Sequence, residues 1–141
     1  MSGCMTSSSW SSNALATGHE LYDFSRLRYI SNTPHCPLHF EIIKMQDKII
    51  GLISLERFHF THTETVLVTI KVDDVLFEEA APVHEGGMRL SLSEENTRHL
   101  IRALQEGKHV CILADGFEEV LEPSQFSSSF SQFMGEKTPI K

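Results

Sequence analysis

Val66-Leu67-Val68-Thr69-Ile70-Lys71-Val72 is the stretch on which the fold turns. Val66, Val68, Ile70 and Val72 are β-branched and recur at every second position, so in an extended chain all four emerge on one side. A helix would scatter them around its axis, so the stretch predicts a half-buried strand. Asp73-Asp74 then supplies turn residues, and Val75, Leu76 and Phe77 pair back.

The same period extends in both directions. Upstream, Leu38, Phe40 and Ile42 alternate with His39 and Glu41, and Gln46-Asp47-Lys48 makes a tight turn. Residues 49–60 then read as the second strand of a hairpin, bent at Gly51. Residues 20–30 alternate more weakly through Leu21, Tyr22, Phe24, Leu27, Tyr29 and Ile30, until Asn32-Thr33-Pro34 breaks the strand. Downstream, residues 80–87 hold Pro82 and Gly86-Gly87 and predict a loop, with a short strand through Met88, Leu90 and Leu92. The apolar run 110–114 and the residues Phe117, Val120 and Leu121 flank Asp115-Gly116, a hairpin turn signal.

Two segments change period. Ser91 or Ser93 caps a helix over 93–106, with Glu94 placed after Ser91 as a capping box requires. Leu100, Ile101 and Leu104 form its apolar stripe, and Gly107 ends it. Ser124 caps a short last helix in which Phe126, Phe130 and Phe133 share one face before Gly135. The expected class is α+β and mainly antiparallel β: a sandwich- or barrel-like sheet with one amphipathic helix near 93–106 and a short C-terminal helix. The alternating rhythm of a parallel βαβ chain is missing.

The organisation that follows is a Ser-rich flexible tail over 1–18, a single β-rich globular domain over 19–135 and a tail over 136–141. In the first tail, Trp10 is a residue that could dock on the domain. At 141 residues the chain is long enough to bury a core without a metal or disulfide, and nine Phe supply much of that core.

With 12 basic and 19 acidic residues the net charge is -7, and Lys and Arg are nowhere clustered. That argues against nucleic acid and against an anionic membrane surface as partners. No apolar run approaches a membrane span, and no signal-peptide core follows Met1.

The chemistry-bearing residues are scattered. Cys4, Cys36 and Cys111 form no CxxC pair, which argues against a zinc ribbon or a thioredoxin-like site. Cys36 shares the core parity of Leu38, and Cys111 lies in an apolar strand. Two readings stand: a pair of buried free thiols, or a Cys36–Cys111 disulfide, which requires an oxidising compartment. His59 and His62 diverge on an extended chain, whereas His35 and His39 share a face beside Cys36. Ordinary surface histidines are expected, and no metal or cofactor. The pairs Asp73-Asp74, Glu78-Glu79, Glu94-Glu95 and Glu118-Glu119 read as solvating groups that blunt exposed edges. There is no G-x-S-x-G elbow, P-loop or G-x-G-x-x-G, and no catalytic residue is singled out.

Ser2-Gly3-Cys4 resembles the last positions of a bacterial lipobox, with a Ser-rich tether behind it. The match holds where the chain is a mature form carrying an added initiator Met, and it implies lipidation at Cys4. Residues 66–133 resemble small bacterial envelope domains, including the invasion-associated locus B group. The features that carry this are Val72-Asp73, Leu90-Ser91-Leu92 before a helix, Ala103-Leu104 followed by Gly107, and a terminal aromatic helix. The resemblance covers about half the chain and implies a sandwich-like fold in the cell envelope, with no catalytic residues to carry over.

The expected function is a non-catalytic bacterial cell-envelope lipoprotein, periplasmic or outer-membrane-tethered, acting as a binding or structural module for a protein or an envelope component. The membrane is reached only through the lipid. A cytosolic protein–protein adaptor or regulatory module is the alternative. A small hydrolase or metal enzyme with a dispersed site is the third.

Overall fold

The computed structural model describes residues 9–15, 24–31, 37–45, 47–56, 58–61, 64–84 and 86–135. Two antiparallel sheets pack face to face. The first holds β1 (Ser9–Leu15), β2 (Phe24–Ile30), β3 (Leu38–Met45), β4 (Lys48–Leu55) and β7 (Arg89–Ser91), in the order β1-β2-β3-β4-β7. The second holds β5 (Thr65–Val72), β6 (Val75–Pro82), β8 (Val110–Ala114) and β9 (Phe117–Leu121), in the order β6-β5-β8-β9. Helix α1 (Glu94–Gln105) connects β7 to β8, and α2 (Phe126–Phe133) follows β9.

The period-two pattern sets the interior. Leu27, Phe40, Ile42 and Ile53 from the first sheet meet Val66, Val68, Ile70 and Ile112 from the second in one buried cluster. The β5–β6 and β8–β9 hairpins turn on Asp73 (φ 52°), and on Asp115 (φ 52°) with Gly116 (φ 84°). Positive φ at both central positions is the geometry that matches strand twist, which is why Asp-Gly suits the second turn. The Asp115 carboxylate also accepts from the Thr61 N–H and hydroxyl, each at 2.8 Å, fixing residues 58–61 beside this turn.

Several elements depart from the sequence expectation. The Ser-rich stretch read as a tail contains β1, whose register with β2 pairs Trp10 with Tyr29. Trp10 is only 5% exposed; its indole N–H donates to the Glu122 carbonyl at 2.8 Å, and its ring contacts Tyr29, Phe40 and Phe126. Burial of this large aromatic side chain helps hold the Ser-rich strand at the sheet edge. Strand β6 runs on through Pro82, where a loop was expected; β6 is an edge strand, so proline's missing N–H leaves no ladder bond unmade. Helix α2 starts at Gln125 in the left-handed region with no side-chain cap, so Ser124 does not serve as one. Phe126 and Phe133 are fully buried, and Phe130 packs between them at 5.4 and 5.6 Å.

Helix α1 is capped by Ser93, whose Oγ accepts from the Asn96 N–H at 3.1 Å; Ser91 instead ends β7. Its C-terminus closes with the Gly107 N–H bonded to the Leu104 carbonyl and the Lys108 N–H to the Ala103 carbonyl, with Gly107 at φ 82°. The helix lies against β4 where Gly51 leaves room: the Gly51 N–H donates to Thr97 Oγ1 at 3.0 Å inside the core. A Cβ on Gly51 would meet Thr97 Oγ1 at 3.2 Å and Phe40 Cε1 at 3.3 Å.

Two of the acidic pairs expected to be solvated enter the structure instead. Glu79 of β6 accepts from the Ser93 N–H (2.9 Å), the Ser93 hydroxyl (3.1 Å) and Asn96 Nδ2 (2.7 Å). It performs in space what a glutamate in the first helical turn does in a capping box. Glu119 is 4% exposed on the core side of β9; one oxygen accepts from the Val120 N–H at 3.0 Å, and the other is buried with no partner among the described residues. Strand alternation is the cause in both cases, since Glu79 and Glu119 share parity with buried Ala81 and Leu121.

Candidate functional site

The two sheets differ on their outer faces. That of the second carries exposed Leu67, Leu76, Leu113 and Val120 around Lys71 and Cys111. That of the first is concave and charged. Antiparallel register places Arg28, Glu41, Leu52 and Ser91 in one row across β2, β3, β4 and β7. His39, Ser54 and Arg89 form a second row across β3, β4 and β7. These rows floor an open groove of about 920 Å³, lined by Arg28, His39, Ser54, Glu56, His84 and Arg89 with apolar patches from Leu52, Leu55 and Met88.

The rim of the groove is built by the glycine loop. Gly86 (φ 94°) and Gly87 (φ 70°) turn the chain, the His84 N–H donates to the Arg89 carbonyl and the Gly87 N–H to the His84 carbonyl, each at 2.9 Å. Positive φ at both positions is what requires glycine there. The loop sets His84 above β7, where its Nε2 shares a 2.9 Å hydrogen bond with Ser91 Oγ. Across the groove His39 Nε2 lies 3.2 Å from Glu56 Oε1. Among the described residues, Arg28 and Arg89 make no ion pair.

One member of the first row, Glu41, belongs to a charge pair with half-buried Arg26. Glu41 is 8% exposed, and its carboxylate lies 3.6 Å from an Arg26 guanidinium nitrogen. Among the described residues Arg26 Nε and Glu41 Oε1 have no hydrogen-bond partner, although Glu41 stands opposite both Arg28 and Leu52 in the register.

No protein-family model, curated protein or solved structure matches this chain.

The residues singled out from the sequence are not assembled there. Cys4, Cys36, His35 and His62 lie outside the described residues. Cys111 lies on the outer face of the second sheet as a half-exposed free thiol, donating to Glu118 Oε2 at 3.1 Å. Partial burial, the hydrogen bond to Glu118 and that carboxylate's negative charge push the thiol from its ordinary 9.0 to about 11. A smaller depression of about 380 Å³ adjoins it, lined by Lys71, Asp73, Gly107, Lys108, His109 and Val120. Of the histidines considered, His39 reaches the groove, while His59 packs on Gly87 behind the loop. Among the described residues no three His, Cys, Asp or Glu side chains are placed to hold a metal ion.

The groove residues His84, Arg89, Arg28 and Ser54 carried no motif. The available signal was parity: Arg28 alternates with buried Leu27 and Tyr29, and Ser54 with Ile53 and Leu55. That parity places these polar residues on the outer face but not beside one another.

Proposed function

We propose that this protein is a non-catalytic binding module of the bacterial cell envelope, and that the groove on the outer face of its five-stranded sheet is where the ligand sits. One observation carries the reading: two guanidinium groups without an ion pair among the described residues and two imidazoles, drawn from β2, β3, β7 and the glycine loop, line one groove of a chain whose net charge is -7. Such a convergence of polar groups around an apolar floor is what recognition surfaces need. A photo-crosslinking residue at Ser54, in host cells, tests it. A discrete adduct that is missing when the same residue replaces exposed Arg98 supports the groove. Equal adducts at both positions, or none at Ser54, overturn it.

The envelope assignment rests on Ser2-Gly3-Cys4 and the Ser-rich stretch behind it. It is tested by metabolic labelling with a radiolabelled fatty acid: label lost in Cys4→Ala supports a lipid anchor, and no label on the native chain removes it. A second, hydrolytic reading has one observation in its favour, the 2.9 Å pairing of Ser91 Oγ with His84 Nε2. A hydroxyl and an imidazole at that distance form the first half of a nucleophile–base–orienter set. Among the described residues no carboxylate orients the second ring nitrogen. The binding reading expects no labelling of Ser91 by a fluorophosphonate probe, and stoichiometric labelling would favour the hydrolase.

A further inference from the structure

From the same groove, and resting on its being the binding site, we infer the class of ligand: an extended acidic polypeptide segment whose carboxylates stand about four residues apart. Arg28 on β2 and Arg89 on β7 are separated by β3 and β4. Three interstrand steps of about 4.8 Å, offset along the strands by one same-face row of two residues (about 6.6 Å), put their Cα atoms roughly 16 Å apart, a span that the long arginine side chains can shorten by leaning inward. A chain extended at about 3.3 Å per residue carries side chains at i and i+4 on one side, about 13 Å apart. The two guanidinium forks then meet two carboxylates, each in the planar geometry that suits such a pair.

Between the cationic ends the floor changes character. Leu52, Leu55 and Met88 give apolar surface, and Ser54 gives a hydroxyl. A peptide with one apolar residue between its acids matches that sequence of surfaces. Two carboxylates lie near this path, each with a partner of its own: Glu41, in the row of Arg28 and Leu52, is buried 3.6 Å from the Arg26 guanidinium, and Glu56 on the rim is hydrogen-bonded to His39. The groove is open along its length. A small molecule gains most from a site that encloses it, whereas a longer chain draws on contacts spread over an open surface. Nucleic acid fits poorly, because a polyphosphate needs many cationic contacts and the groove offers the guanidinium groups of Arg28 and Arg89.

The test uses the full-length chain and a fluorescent peptide with two glutamates four residues apart in a threonine/valine background. Anisotropy gives affinity, and amide chemical-shift changes give location. Binding that perturbs β2, β4 and β7, weakens about tenfold in Arg28→Gln and in Arg89→Gln, and is unchanged in Arg98→Gln supports the inference. The ligand class is overturned, with the groove reading left standing, if any of three probes binds the groove as tightly: a peptide with adjacent glutamates, a free dicarboxylate or a single-stranded oligonucleotide. Shifts confined to the second sheet, with no dependence on either arginine, overturn both.

Discussion

Glu79 offers a sharp test of how the two sheets and the helix are joined. Glu79→Ala removes the acceptor of three hydrogen bonds, from the Ser93 N–H, the Ser93 hydroxyl and Asn96 Nδ2. The local cap from Ser93 Oγ to the Asn96 N–H survives. Hydrogen bonds to a charged group contribute about 1.5–3 kcal/mol when buried, but Ser93 is exposed and water replaces part of what is lost, so about 1 kcal/mol remains. A carboxylate at a helix N-terminus adds about 0.3–1 kcal/mol. The expected loss is therefore about 2 kcal/mol, or a fall in Tm of about 6–10 °C for a domain of this size. Thermal melts followed by circular dichroism measure it, with Glu78→Ala as control. Glu78 points outward on the same strand, so its removal should cost less than about 0.5 kcal/mol. Glu79→Gln keeps one oxygen and should fall between the two. The double variant with Asn96→Ala should show coupling of about 0.5–1 kcal/mol. If Glu79→Ala melts within 2 °C of Glu78→Ala, on the order of the scatter expected for a surface change, the cross-element cap has been wrongly credited.

Three further outcomes are expected. Trp10→Ala should destabilise by about 3–5 kcal/mol, and because the chain has a single tryptophan, native emission should be blue-shifted and move to the red on unfolding; solvent-like emission from the folded chain would place β1 off the domain. Thr97→Val leaves the buried Gly51 N–H without its acceptor and should cost about 1–3 kcal/mol in urea titrations, while Thr97→Ser, which keeps the hydroxyl, should recover more than half of it. Cys111 should alkylate more slowly at pH 8 than a free cysteine peptide, with a rate that keeps rising as the pH climbs past 9 towards 11, and Glu118→Gln should accelerate it. The folded chain holds this proton more tightly than the unfolded chain, so its contribution to stability is intact below 9 and declines as pH rises towards 11. Reactivity that appears only after reduction would instead indicate that Cys111 is held in a disulfide, and loss of that requirement in Cys36→Ala would identify the partner.

The architecture was readable in the chain because period-two patterning is local. Val66, Val68, Ile70 and Val72 must share a face wherever the strand goes, and the Asp73-Asp74 and Asp115-Gly116 turns set the registers of their hairpins. The same locality misled at the chemistry-bearing residues. Glu79 and Glu119 look like solvating pairs with Glu78 and Glu118 until alternation sends one member of each inward. Cys111 sits in an apolar run, yet its parity puts it outside with Leu113. The edge position of β6 is a property of the sheet order, so Pro82 could not be read as a strand residue from its neighbours.

The sequence by itself determined that this chain would form antiparallel strands with a helix near 93–106, because side-chain spacing and turn chemistry act within a few residues. Tertiary structure alone decided that Arg28, His39, His84 and Arg89 meet. They come from segments distant along the chain, and their proximity depends on which strands pair and in what register. Those choices are made by the packing of the whole core and leave no trace in any single segment.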